Sequence, residues 1–122
     1  MTRQLSVSEG QMVVDWLLNL STPEHWDINL KTLSALSGLS MESLQNGIKE
    51  PLNEDSITRI GLLVSIYEGI VVIAPDGAAD MFFRAEFAFP PLLGKSIRET
   101  LTENSNLENL EKINSWIRSL GA

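Results

Sequence analysis

No cysteine occurs in the 122 residues, and only one histidine. The first absence excludes disulfides, thiolate nucleophiles and every metal or cluster site built on sulfur. The second excludes a histidine cluster. It leaves His25 as a loop or helix-end residue, with no carboxylate–nucleophile set beside it in sequence. No run approaches the roughly 18 apolar residues of a membrane span, and the opening MTRQLSVSEG holds no apolar segment of an export signal. The expected compartment is therefore the cytoplasm, with no membrane partner. Basic residues are scarce: nine Lys and Arg stand against sixteen Asp and Glu, a net charge of −7. That sign opposes binding of nucleic acid chiefly by attraction to phosphates. Three basic and six acidic residues precede a cut after Asn53, and six basic and ten acidic follow it, so neither half is a basic module. Any DNA binding requires a local patch or a partner that supplies positive charge.

What is present is an ordinary globular composition: 43 % hydrophobic, 20 % charged, mean hydropathy +0.04. A chain of this size buries roughly two thirds of its unfolded surface. Val13, Trp16, Leu17 and Leu20 lie on one helical face, with Ser8 and Gln11 spaced as a capping box at its start. Ser21-Thr22-Pro23-Glu24 ends that helix. Asn29 caps a helix carrying Leu30, Leu33 and Leu36, and Gly38 suits the left-handed position at its end. Leu39 plugs the turn, and Ser40 caps a second helix holding Leu44 and Ile48. Two short helices around a Gly-containing turn form a helix-turn-helix pattern. Outward positions on the second helix are Met41, Glu42, Gln45, Asn46 and Lys49. Gln45 and Asn46 suit adenine edges, Met41 lies beside them, and Lys49 suits a phosphate. The same chemistry also builds corners that bind no DNA, and both readings stay open here.

Pro51 to Asp55 marks a boundary, dividing the chain into 1–53 and 54–122. From Ser56 the pattern Ile60, Leu63, Val64, Tyr67, Ile70, Val71, Ala74 predicts a long central helix, stopped by Pro75-Asp76-Gly77. Residues 70–73 are β-branched and admit a strand, but length and the unbroken period favour helix. Ala78 to Arg84 reads as a short helix holding Met81, Phe82 and Phe83, with the two aromatics in the core. Phe87 to Lys95 reads as an extended apolar loop, which either packs over the central helix or faces a partner. Ser96 and Glu99 form a second capping box, Asn104-Ser105-Asn106 breaks the chain, and Leu107, Leu110, Ile113, Ile117 and Leu120 predict a last helix. The fold class is all-α: a small helix-turn-helix bundle followed by a helical second domain.

Chemistry is thin. Asp76 and Asp80 are four apart and fit a solvated helix start. Gly94-Lys95-Ser96 lacks the upstream glycines of a phosphate-binding loop. Catalytic residues, metal ligands and cofactors are not expected. The apolar loop and the need of a helix-turn-helix reader for two half-sites predict a homodimer.

Residues 56–120 resemble the toxin-binding domain of the Xre/MbcA/ParS antitoxin family. The resemblance lies in Ile57-Thr58-Arg59-Ile60-Gly61-Leu62-Leu63-Val64-Ser65-Ile66-Tyr67-Glu68, in Ala79 to Arg84, in Pro91-Leu92-Leu93-Gly94-Lys95-Ser96-Ile97, and in Leu107 through Ile117. Residues 8–50 resemble the Xre-like helix-turn-helix domain that precedes it in these antitoxins. Where the family usually has Trp and then a Pro-Asn pair, this chain has Phe82-Phe83 and then Glu86-Phe87. The resemblance implies an antitoxin that binds and neutralises a RES-domain, NAD-consuming toxin and represses its own operon. The alternative is a stand-alone helix-turn-helix transcription regulator with a C-terminal dimerisation domain. On the first reading the toxin contacts are Phe87, Phe89, Leu92, Leu93, Lys95, Trp116 and Arg118.

Overall fold

Short polar side chains decide where most helices begin. The computed structural model describes residues 6–121. Helix α1 (Val7–Leu20) starts at Ser6, whose hydroxyl accepts from Glu9 N at 3.2 Å while the Glu9 carboxylate accepts from Ser6 N at 3.1 Å. Asn29, Ser40, Asn53 and Asn106 cap α2 (Leu30–Ser37), α3 (Met41–Asn46), α4 (Glu54–Ile73) and α7 (Leu107–Leu120), each side chain accepting from a backbone N–H three residues on. Between α4 and α7 come α5 (Ala79–Arg84), two-residue strands β1 (Glu86–Phe87) and β2 (Lys95–Ser96), and α6 (Ile97–Glu103). Ser96 and Glu99 form the second capping box as expected. The strands pair antiparallel, Glu86 opposite Ser96 and Phe87 opposite Lys95. Among the described residues the protein is all-α apart from this small ladder.

Several local readings are corrected. The first capping box is Ser6–Glu9, not Ser8–Gln11. Gln11 serves elsewhere: its side-chain oxygen accepts from Ile48 N at 2.9 Å, and its amide donates to Asp15. Helix α1 is rotated from the expected face, so that Val14 is buried while Val13 and Trp16 are half-buried. Helix α3 stops at Asn46 because Gly47 takes φ +89, which leaves Ile48 and Lys49 outside the helix. In α4 the buried set is Ser56, Ile60, Leu63, Ile66, Gly69 and Ile70, and Val71 is exposed. Residues 70–73 are helical. The 20-residue α4 reaches a mean hydropathy of 1.7, long and apolar enough by composition alone to cross a membrane, although no uninterrupted apolar run marks it. Met81 is exposed, and Phe83 is wholly buried as expected.

Helix α4 organises the rest. It packs against α2, α5 and, most extensively, α7. Arg118 reaches Ser65, Ile117 lies over Gly69 and Gly121 lies against Ile73, so α4 and α7 run in the same direction. Arg59 braces the start of α4. Only 17 % exposed, it donates to Ala35 O of α2 at 3.1 Å, to Ser105 O before α7 at 2.9 Å, and to Asp55. Trp26, in the loop after α1, stacks on Phe83 of α5 at 3.9 Å between centroids and 4° between planes. The core is one continuous cluster that draws on both sides of the 53/54 boundary.

Two glycines of α4 give opposite expectations. A Cβ on Gly69 would lie 2.6 Å from Cγ2 of the buried, β-branched Ile117, whereas one on Gly61 meets open space. Gly69→Ala should destabilise the protein by about 1–3 kcal/mol through overpacking. Gly61→Ala should stabilise it by about 0.5–1 kcal/mol through helix propensity. Urea unfolding of the two variants checks both signs.

Candidate partner-binding surface

The turn between the strands is built around one buried leucine. Leu92 N and Leu93 N both donate to Phe89 O at 3.1 Å, and Gly94 N donates to Phe87 O at 2.7 Å. The Pro90–Pro91 bond is cis, and Leu93 and Gly94 take positive φ, which folds residues 88–94 into a tight hook. Leu92 points into the core and is 1 % exposed. Its expected place among outward toxin contacts is therefore corrected: it anchors the hook and has no surface to offer. Phe89 and Leu93 are left outside, 52 % and 70 % exposed.

Beside the hook lies an aromatic cluster. Phe87 of β1 is 4.9 Å from Phe82 of α5, 5.9 Å from Phe89 and 5.8 Å from Trp116 of α7, centroid to centroid. Trp116 also lies 6.3 Å from both Phe82 and Phe89. Phe82, Phe87 and Trp116 are half-buried, so the cluster is a floor of three rings with Phe89 standing over it. Aromatic pairs at these separations contribute about 0.5–1.5 kcal/mol each beyond their burial. Aromatic side chains of this kind are enriched in interface cores and hot spots. The structure thus brings together Phe87, Phe89 and Trp116 of the expected set, with Leu93 on the same hook, and adds Phe82. Phe82 was assigned to the core; its helical offset from Phe83 is what turns it outward.

The two expected charged contacts are engaged within the chain. Lys95 pairs with Glu103 of α6. Arg118 donates to Ser65 O at 3.0 Å and to Ser65 Oγ at 2.9 Å, which ties α7 to α4. Both remain solvent-accessible but are held by these partners.

On α3, Met41, Gln45 and Asn46 are exposed, as the helix-turn-helix reading expects. Lys49 is not on that helix. It lies in the bend beyond Gly47, with its ammonium 4.0 Å from Glu42. The face therefore carries one loosely paired cation beside a carboxylate. Elsewhere, His25 Nδ1 lies 2.8 Å from Asp80 Oδ2, joining the loop after α1 to α5. Their separation of 55 positions hides that pair from local sequence reading. Asp76 lies outside α5 and does not share a helix face with Asp80. Among the described residues no group of three or more His, Asp or Glu is placed to hold a metal ion. Comparison of the chain with family models, with curated proteins and with solved structures finds no match.

The cluster separates a packing ring from a presented one. Phe87→Ala, which removes the central ring, should cost about 2–4 kcal/mol of stability. Phe89→Ala should cost less than about 1 kcal/mol, because half of that side chain already faces water. Chemical denaturation of both variants measures the difference.

Proposed function

We propose that this chain is an antitoxin whose C-terminal half binds and neutralises a RES-domain, NAD-consuming toxin, with no catalysis of its own. The observation that carries the reading is the aromatic floor of Phe82, Phe87 and Trp116 with Phe89 and Leu93 presented above it. A hook held by Leu92 and by its own backbone hydrogen bonds loses little entropy when a partner orders it. The toxin class rests on the resemblance of residues 56–120 to the toxin-binding domain of the Xre/MbcA/ParS antitoxins. The charge of −7 suits a partner whose site attracts an anionic dinucleotide, because complementary fields speed association.

Co-expression of the RES-domain protein encoded beside this chain with the full-length chain tests it. The unaltered chain is expected to restore growth and the NAD level. Phe89→Glu and Leu93→Glu should lose protection while keeping the fold, since both side chains are exposed. Full protection by the folded Phe89→Glu/Leu93→Glu double variant would overturn the placement of the surface.

The exposure of Gln45 and Asn46 on α3 favours a second role, reading of operator DNA by a dimer alone or with the toxin. Binding by the isolated chain should be weak and strongly salt-dependent. A Gln45→Ala/Asn46→Ala variant should lower affinity for the promoter of its own operon by about tenfold or more. Equal gel-shift affinities would remove α3 as the reader.

A further inference from the structure

A pocket of about 160 Å³ opens where the end of α1, the loop after it, α4 and the start of α5 meet. Trp16 and Tyr67 line it, their rings edge to face at 5.4 Å between centroids, and Leu20 adds a buried apolar wall. His25 and Asp80 supply a polar wall, with Nδ1 of the histidine 2.8 Å from Asp80 Oδ2. A carboxylate only accepts, so Nδ1–H is the donor, and the neutral imidazole keeps its lone pair on Nε2. Among the described residues nothing bonds to that nitrogen, and it is open to solvent. The Trp16 indole N–H and the Tyr67 hydroxyl are also unpaired and open to solvent. The cross-link between the loop and α5 therefore uses one edge of His25 and leaves the other free beside an aromatic wall. No Lys or Arg lines the pocket.

We propose that this pocket binds a small molecule made of one flat ring that carries an N–H or O–H donor. The size sets the single ring, since an apolar cavity of about 150 Å³ holds benzene. Apolar and aromatic walls with a few convergent polar groups are the usual make-up of a small-molecule site. The ring packs on Trp16 and Tyr67, and its donor meets His25 Nε2. Asp80 is a positioning residue, which holds the histidine in the accepting tautomer. It also opposes an anionic ligand, for which the pocket has no basic side chain. The pocket shares α5 with the aromatic floor but none of its residues, so the site holds whether or not that floor binds a toxin.

Titration of the ¹⁵N-labelled full-length chain in mildly alkaline buffer, followed by chemical shifts, tests the proposal. The probes are pyrazole, a flat ring with one N–H; N-methylpyrazole, which lacks the donor; and acetamide, which has a donor and no ring. Pyrazole is expected to move the amides of Asn19, His25 and Asp80 and the indole N–H of Trp16 saturably at millimolar concentration. It should also move the His25 Nε2 resonance upfield, the mark of an accepted hydrogen bond. N-methylpyrazole should bind about threefold to tenfold more weakly, and acetamide should give no saturable shift. His25→Phe keeps a flat ring and removes the acceptor, so it should bind pyrazole and N-methylpyrazole equally. Should that variant fail to fold, the two probes on the unaltered chain decide alone. Equal affinities there, shifts centred elsewhere, no saturable shift with pyrazole, or a preference for pyrazole that survives in folded His25→Phe would each overturn the assignment.

Discussion

Helix α4 is apolar on nearly every side, and the need to cover its Ile60, Leu63, Ile66 and Ile70 face shapes the chain, while Val71 and Val72 stay exposed. Helices α2, α5 and α7 pack around it, and Trp16 of α1 meets its Tyr67 edge-on at 5.4 Å. Most of that covering is non-directional, since burial of Ile60, Leu63, Ile66 and Ile70 fixes no unique neighbour. Direction comes from Arg59. Its guanidinium closes on two backbone carbonyls, Ala35 O and Ser105 O, that lie on either side of α4 in sequence and would otherwise end unpaired near helix termini. Both bonds come from Nη1, and Nε of the same planar group donates to Asp55, so one guanidinium joins three segments at once. Gly69 adds a steric condition, because only a missing side chain lets Ile117 seat against α4. Apolar demand, polar brace and steric notch together set which helix lies where.

The local grammar of the fold was legible. Asn29, Gly38, Ser40, Asn53, Ser96–Glu99 and Asn106 each do what their residue type predicts, because a cap is a contact between neighbours in sequence. The long central helix and its arrest before Pro75 were legible too, even through the β-branched 70–73 segment. The phase of the buried faces was not. In α4 an apolar residue occurs on almost every side, so the pattern cannot say which will face α7, and the small residues Ser56 and Gly69 take inner positions that hydrophobicity ignores. In α1 the choice between Val13 and Val14 rests on the loop carrying Ile48, which reaches back to Gln11 and lies against Gly10.

Long-range polar pairs are the other class of feature that sequence spacing conceals. His25 with Asp80, Arg98 with Asp27 and Arg118 with Ser65 each join segments more than fifty positions apart. Arg118 illustrates the consequence for reading a site. By position it was a free cation near the end of the last helix, available to a partner. In the fold it is the clamp between α7 and α4, and a substitution there reports on helix packing as well as on recognition. Leu92 repeats the lesson in apolar form. Neighbouring leucines in one loop divide into an anchor and a presented residue, because the backbone turn between them reverses their direction.

That division explains how so small a chain keeps an exposed aromatic surface. Phe89 and Leu93 in a mobile loop would collapse onto the nearest apolar face. Here Leu92 is buried beneath them, the β1–β2 ladder closes the base of the hook, and Phe87 wedges between α5 and α7. The rings are thus presented by the same contacts that complete the core. The ordering entropy of the loop is met by folding, so that a partner gains the apolar contact without supplying that cost again. A surface of this kind is specific because it is rigid, and its rigidity traces back to α5 and α7, which flank the hook and both pack on α4.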